Sequence, residues 1–123
     1  MNDNRIKILK IEVGEPPIEK EITNELSALQ AEVGGLIECV YFDDGCIAVI
    51  NEECKINGMQ PNRRMGDDII CGPFFICGDT GEDFCSLTDE QIQEYSKQFG
   101  EILKFTGEEP ELEPRCGIIF FNY

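Results

Sequence analysis

The apolar residues of this chain arrive in runs of strand length, each cut off by glycine, proline or an Asp/Asn turn, and only two stretches switch to a helical period. Strands alternate faces residue by residue whereas helices repeat about every 3.6 residues, so this punctuation constrains the fold class before any motif is considered. Arg5 to Val13 carries Ile6 and Ile8 on one parity and Leu9, Ile11 and Val13 on the other, then stops at Gly14-Glu-Pro-Pro. That pattern predicts a first strand and a turn. Ile18 to Ile22 alternates apolar with charged residues and reads as the return arm of a hairpin. Leu36 to Phe42 and Cys46 to Ile50, joined by Asp43-Asp44-Gly45, predict a second hairpin. Ile69 to Cys77 is nearly all apolar around Gly72-Pro73, as expected for a central strand with a kink or bulge.

The helical stretches are equally bounded. Thr23 or Asn24 can cap a helix whose Leu26, Leu29 and Val33 form one apolar stripe, and Gly34-Gly35 supplies a left-handed stop. Thr88-Asp-Glu-Gln91 is a capping box that opens a second helix with a stripe of Ile92, Tyr95 and Phe99. Asn51 to Asp68 breaks all periodicity and reads as a long connection rich in turn chemistry. The order predicts an α+β fold, an antiparallel or mixed β-sheet of about five to six strands packed with two helices. Residues 1–105 form the single α+β domain, and 106–123 form an acidic linker with a C-terminal apolar extension, where Cys116 to Tyr123 returns as a last strand or packs on the core.

A chain of 123 residues can bury a core as one domain without staples. Its longest apolar stretches fall far short of the ~20 residues that cross a bilayer, and the polar start carries no apolar signal core, so a cytoplasmic location is expected. The seven cysteines are odd in number and mostly sit inside apolar runs, where free thiols pack as small hydrophobes. No two stand in C-x-x-C spacing and histidine is absent, which argues against structural zinc; no cofactor and no metal are expected.

The absence of histidine also lowers the expectation of an enzyme, since acid–base work at neutral pH would need a perturbed carboxylate, lysine or cysteine. Cys85 or a lone carboxylate would be the fallback, and no partner for either is visible. The doublets Asp43-Asp44, Glu52-Glu53 and Asp67-Asp68 read as solvated surface, and Asp79 to Asp83 lacks the register of a calcium loop and reads as a turn. No Walker loop, dinucleotide fingerprint or nucleophile elbow occurs.

Charge is the more informative property. The formal net charge of −15 opposes direct binding to duplex nucleic acid or to an anionic membrane. Glu21 to Cys54 and Met65 to Ser96 contain no Lys or Arg. They supply the candidate acidic surface: Glu38, Asp43, Asp44, Glu53, Asp67, Asp79, Glu82 and Asp83. Between them lies the other candidate site, Asn51, Glu52, Asn57, Asn62, Arg63, Arg64 and Asp68. A guanidinium binds phosphate or carboxylate bidentately, so these residues could form a pocket for a small anionic ligand; equally, the arginines could answer neighbouring acids while the asparagines shape turns.

Asn51-Glu-Glu-Cys-Lys-Ile-Asn-Gly-Met-Gln-Pro-Asn-Arg63, then Asp68-Ile-Ile-Cys-Gly-Pro-Phe-Phe-Ile-Cys-Gly78, then Glu82-Asp-Phe-Cys-Ser-Leu-Thr88 together resemble the domain-of-unknown-function family DUF3846. Ile8 to Gly14 and Leu29 to Gly35 fit the same resemblance, which covers about residues 5 to 100. Cys54, where family members often carry glycine, and the extension after Gly100 depart from it. The resemblance implies an accessory protein of bacteriophages or conjugative elements, found near antirestriction genes and serving evasion of host defence.

Two functions follow as expectations. In one, the acids imitate duplex phosphate and block a host defence nuclease of antirestriction or anti-CRISPR type, or another defence protein. In the other, the Asn51 to Asp68 segment builds a pocket that sequesters a nucleotide immune signal. A two-fold homodimer is the default oligomer for a small cytosolic chain.

Overall fold

The structure, a computed structural model, describes residues 4–54, 56–65 and 68–102 and the backbone of Ile119 and Phe120. The two hairpins form as the alternation predicts: β1 (Arg5–Ile11) pairs antiparallel with β2 (Ile18–Thr23), and β3 (Ile37–Tyr41) with β4 (Cys46–Asn51). The apolar stretch from Ile69 to Cys77 is not one strand. Gly72, at φ +72°, breaks it into β6 (Asp68–Cys71) and β7 (Phe74–Asp79), which belong to different sheets. β6 pairs with β5 (Pro61–Met65), a strand within the segment that had no strand pattern of its own. β7 passes between the two hairpins, antiparallel to β1 and to β4.

The main sheet runs β2-β1-β7-β4-β3-β9, with the short β8 (Phe84–Cys85) paired to the end of β7 and β9 (Ile119–Phe120) parallel to β3 at the far edge. The fold is α+β. Residues 103–118 and 121–123, which hold the expected linker and most of the C-terminal extension, lie outside the described residues, as do Gly66 and Asp67. Among the described residues no helix is long and apolar enough to cross a membrane.

The sheet is covered on both faces, which is why both parities of β1 are apolar. Ile6 and Ile8 join Ile22, Val49, Phe75 and Cys77 beneath α1 (Leu26–Val33). Leu9 and Ile11 join Ala48, Ile50, Phe74 and Ile76 beneath α2 (Asp89–Gln98) and the β5-β6 hairpin. α2 has the predicted capping box, Gln91 N donating to Thr88 Oγ1 (3.1 Å) and Thr88 N to Gln91 Oε1 (2.9 Å). Its aromatic side lies on the sheet: Tyr95 stacks on Phe42 with centroids 5.3 Å apart, and Phe99 meets Phe74 edge-on at 5.8 Å.

α1 departs from its expected start. Its N-cap is Glu25, with no side-chain cap, because Thr23 ends β2 and the Asn24 amide is spent on Asp83 Oδ1 and the Phe84 carbonyl. Leu29 and Val33 are buried, whereas Leu26 is 60% exposed, so the apolar stripe leaves the core at its first turn. The helix stops at Gly34, φ +80°, whose N–H returns to Gln30 O.

One ion-pair cluster pins α1 to the sheet. Lys10, buried on β1, donates to the Glu32 carbonyl (2.8 Å) and carboxylate (2.7 Å), and Lys20 reaches the same carboxylate (3.0 Å). Burial alone would raise the Glu32 carboxyl, but the hydrogen bonds and charges of the two lysines outweigh it and hold its pKa below the ordinary 4.5. A depressed carboxylate stabilises the fold above its unfolded pKa and ceases to do so as pH falls through the folded one. Wild-type protein is therefore expected to lose more stability than Glu32→Gln on acidification from pH 7 to below ~4, read by urea unfolding at each pH. Gly72 supplies a second prediction. A Cβ there would lie 2.6 Å from Met59 Sδ as well as forcing a left-handed alanine, whereas at Gly14, φ +75°, nothing stands within 4 Å. Gly14→Ala should cost about 1 kcal/mol for the backbone alone and Gly72→Ala distinctly more, by urea midpoint.

Candidate functional site

The structure divides the arginine and asparagine constellation between interior and surface. Asn51, Asn62 and Arg63 are each about 1% exposed, and each is occupied with main-chain groups. Asn51 Nδ2 donates to Val33 O at the end of α1 (3.0 Å), and its Oδ1 accepts from Glu53 N (2.8 Å). Asn62 Nδ2 bridges Ile11 O (3.0 Å) on β1 and Gly72 O (2.9 Å), which holds β5 against the main sheet. Arg63 Nε donates to Phe99 O (2.8 Å) at the end of α2, Nη1 to Asn62 Oδ1 (2.7 Å) and O (3.2 Å), and Nη2 to Glu15 O in the β1-β2 turn. Burial lowers the Arg63 pKa, yet a guanidinium stays charged, and the carbonyl at the C-terminal end of a helix is a favourable acceptor for it. Of the remaining members, Arg64 and Asn57 are exposed, and Glu52 and Asp68 are half-buried. The predicted group is thus split between a buried polar junction and scattered surface positions.

The acids behave differently. β4 registers with β7 so that Cys46 faces Gly78, which sets the β3-β4 turn beside the loop leaving β7, and Asp79 N donates to Gly45 O (2.8 Å). The Asp43-Asp44-Gly45 turn is thereby brought against Asp79, from far along the chain. α2 adds Glu94 on the other face of the sheet, fixed there by the bond from Tyr95 Oη to Asp44 Oδ2 (2.6 Å). Two clefts open at this end. One, of about 290 Å³, is lined by Phe42, Asp43, Asp44, Glu94, Tyr95 and Gln98. The other, of about 540 Å³ on the α1 side, has Asp79, Glu82 and Asp83 at its rim. Among the described residues neither is lined by a lysine or arginine.

Several basic residues of the described chain are engaged elsewhere. Arg5 pairs with Glu21, Lys7 with Asp89, Lys10 with Glu12 and Glu32, and Lys20 with Glu32. Two expected surface acids are not part of the acidic end. Glu38 is 4% exposed, because the register that puts it opposite Ile50 also points it to the face carrying Val40. Glu53 is exposed but follows β4, at that strand's opposite end from Asp44. Asp67 lies outside the described residues. Glu94 belongs to the site without having been singled out, although its place in a Lys- and Arg-free segment on the exposed side of α2 was a usable signal.

Among the described residues six cysteines are free; burial raises Cys46 to about 12, helped by Asp44, and burial together with Asp79 and Asp83 also raises Cys85, the fallback nucleophile. Among the described residues no group of Asp, Glu and Cys is arranged to hold a metal ion.

A family model described as a domain of unknown function (DUF3846) matches residues 6–100. No curated protein and no solved structure matches the chain.

The two arginines should separate cleanly on substitution. Arg63→Lys replaces a four-bond fork by a single ammonium and is expected to cost about 3 kcal/mol, while Arg64→Ala stays within about 0.5 kcal/mol, both by urea unfolding.

Proposed function

The chain belongs to the DUF3846 family, and from that starting point we propose that it is a non-enzymatic accessory protein of phage or mobile DNA. Its role is to antagonise host defence in the cytoplasm of a bacterial host. It binds, through its acidic end, the basic nucleic-acid groove of a defence nuclease of restriction or CRISPR type, or of another nucleic-acid-handling defence protein. The observation that carries this reading is the gathering of Asp43, Asp44 and Glu94 around one cleft and Asp79, Glu82 and Asp83 around the other, with no basic residue lining either among the described residues. A low-dielectric end of one sign focuses its field outward, repels phosphate and attracts a partner built to hold it.

Sequestration of a nucleotide immune signal by the Asn51 to Asp68 segment has less support. An anion pocket needs donors aimed into space, and the Arg63 fork is directed instead at the main-chain carbonyls of Glu15, Asn62 and Phe99.

Immobilised protein should retain restriction or CRISPR effectors from a bacterial extract at low ionic strength. Release should follow on raising salt above about 0.3 M or on adding competing duplex DNA. The triple variant Asp43→Asn, Glu82→Gln, Glu94→Gln removes exposed charges whose side chains make no hydrogen bond among the described residues. It should fold normally and bind at least about tenfold more weakly. Empty pull-downs at low salt would end this proposal.

A further inference from the structure

The larger cleft is more than an acidic patch. Apolar and aromatic side chains line it beside the acids: Leu29 and the exposed Leu26 come from α1, Ile37 and Tyr41 from β3, and Phe84 from β8. At about 540 Å³ it falls within the ~300–1,000 Å³ typical of ligand-holding clefts. Leu26 sits where α1 leaves the core, so an apolar side chain of a helix's first turn is exposed in the lining of this cleft. The acids are set around the cleft in a built loop. Gly81 N donates to Asp79 Oδ1 (3.0 Å), and Asp83 Oδ1 accepts from Asn24 Nδ2 (3.1 Å) and Phe84 N (2.8 Å). A carboxylate has capacity for about four donors, so each keeps room for one arriving from outside.

We infer that this cleft is a docking groove for a protein segment in which an apolar side chain is flanked by arginine or lysine. The apolar residue enters between Leu26 and Phe84, and the flanking cations meet Asp79, Glu82 and Asp83. Charge complementarity selects this occupant. The rim repels nucleotides, nucleic acid and anionic lipid, and a hydrated polycation without an apolar anchor would leave the apolar lining unfilled. This inference rests on the reading that the chain acts by binding a protein, and it names the contact that adds specificity to long-range attraction.

The test uses the full chain as bait for a displayed library of random 12-residue peptides, with Leu26→Ser, which keeps the charge, as the counter-bait. The expected result is enrichment of peptides with an apolar residue between basic ones. The strongest synthetic binder should perturb the amide resonances of Leu26, Ile37 and Phe84, and Leu26→Ser should weaken it on the order of tenfold. Circular dichroism and urea unfolding confirm that the variant is folded. Absence of enrichment over the counter-bait, selection of basic peptides with no apolar anchor, or resonance changes away from the groove each overturn the inference. Failure here is separable from failure of the defence reading. If effectors are retained at low salt equally by wild type and Leu26→Ser, the acidic surface acts without the groove. If peptides dock but no effector is retained, the groove stands and the defence target does not.

Discussion

The structure depends on one constraint: β4 and β7 are buried on both faces and must lie side by side. Every residue of β4 and all but the last of β7 are buried, so a slip of one position would exchange the two apolar sets beneath α1 and α2, and the register is fixed as a result. That register places Cys46 against Gly78 and docks the two turns at their ends. The acidic end is a consequence of core packing: apolar burial in the middle of the sheet determines which carboxylates become neighbours at its margin.

A second device supports the first. The β5-β6 hairpin carries polar residues into the interior, and Asn62 and Arg63 make that tolerable by giving their donors to main-chain carbonyls. Buried charge without an opposite charge is costly, but a guanidinium spreads its charge over several donors, and here it collects acceptors from the β1-β2 turn, from β5 and from the end of α2. Three elements distant in sequence are thereby tied at one point. The arrangement explains why an arginine can be nearly inaccessible in a chain of net charge −15 while its hydrogen bonds among the described residues go to carbonyl and amide oxygens.

Charge is segregated by the same topology. Arg5, Lys7, Lys10 and Lys20 lie on the β1-β2 hairpin and are paired with Glu21 on β2, Asp89 on α2 and Glu32 on α1, while the β3-β4 turn and the loop after β7 carry acids alone. Pairing these four cations while Asp43, Asp44, Asp79, Glu82, Asp83 and Glu94 line the clefts at the other end gives the charge a direction, and total charge by itself would not produce one.

The sequence alone determined what depends on neighbours a few residues apart. The two hairpins, the Thr88 capping box, the Gly34 stop, the α+β class and the acidity were all legible, because turn preference, capping and alternation act locally. Tertiary structure decided what depends on register across the sheet. It split Ile69 to Cys77 at Gly72, made a strand of Pro61–Met65 and turned Arg63 inward. It also buried Glu38, left Leu26 exposed and set the Asp43-Asp44-Gly45 turn against Asp79. Those outcomes follow from which strands pair and which face is covered, and no local pattern encodes a partner tens of residues away.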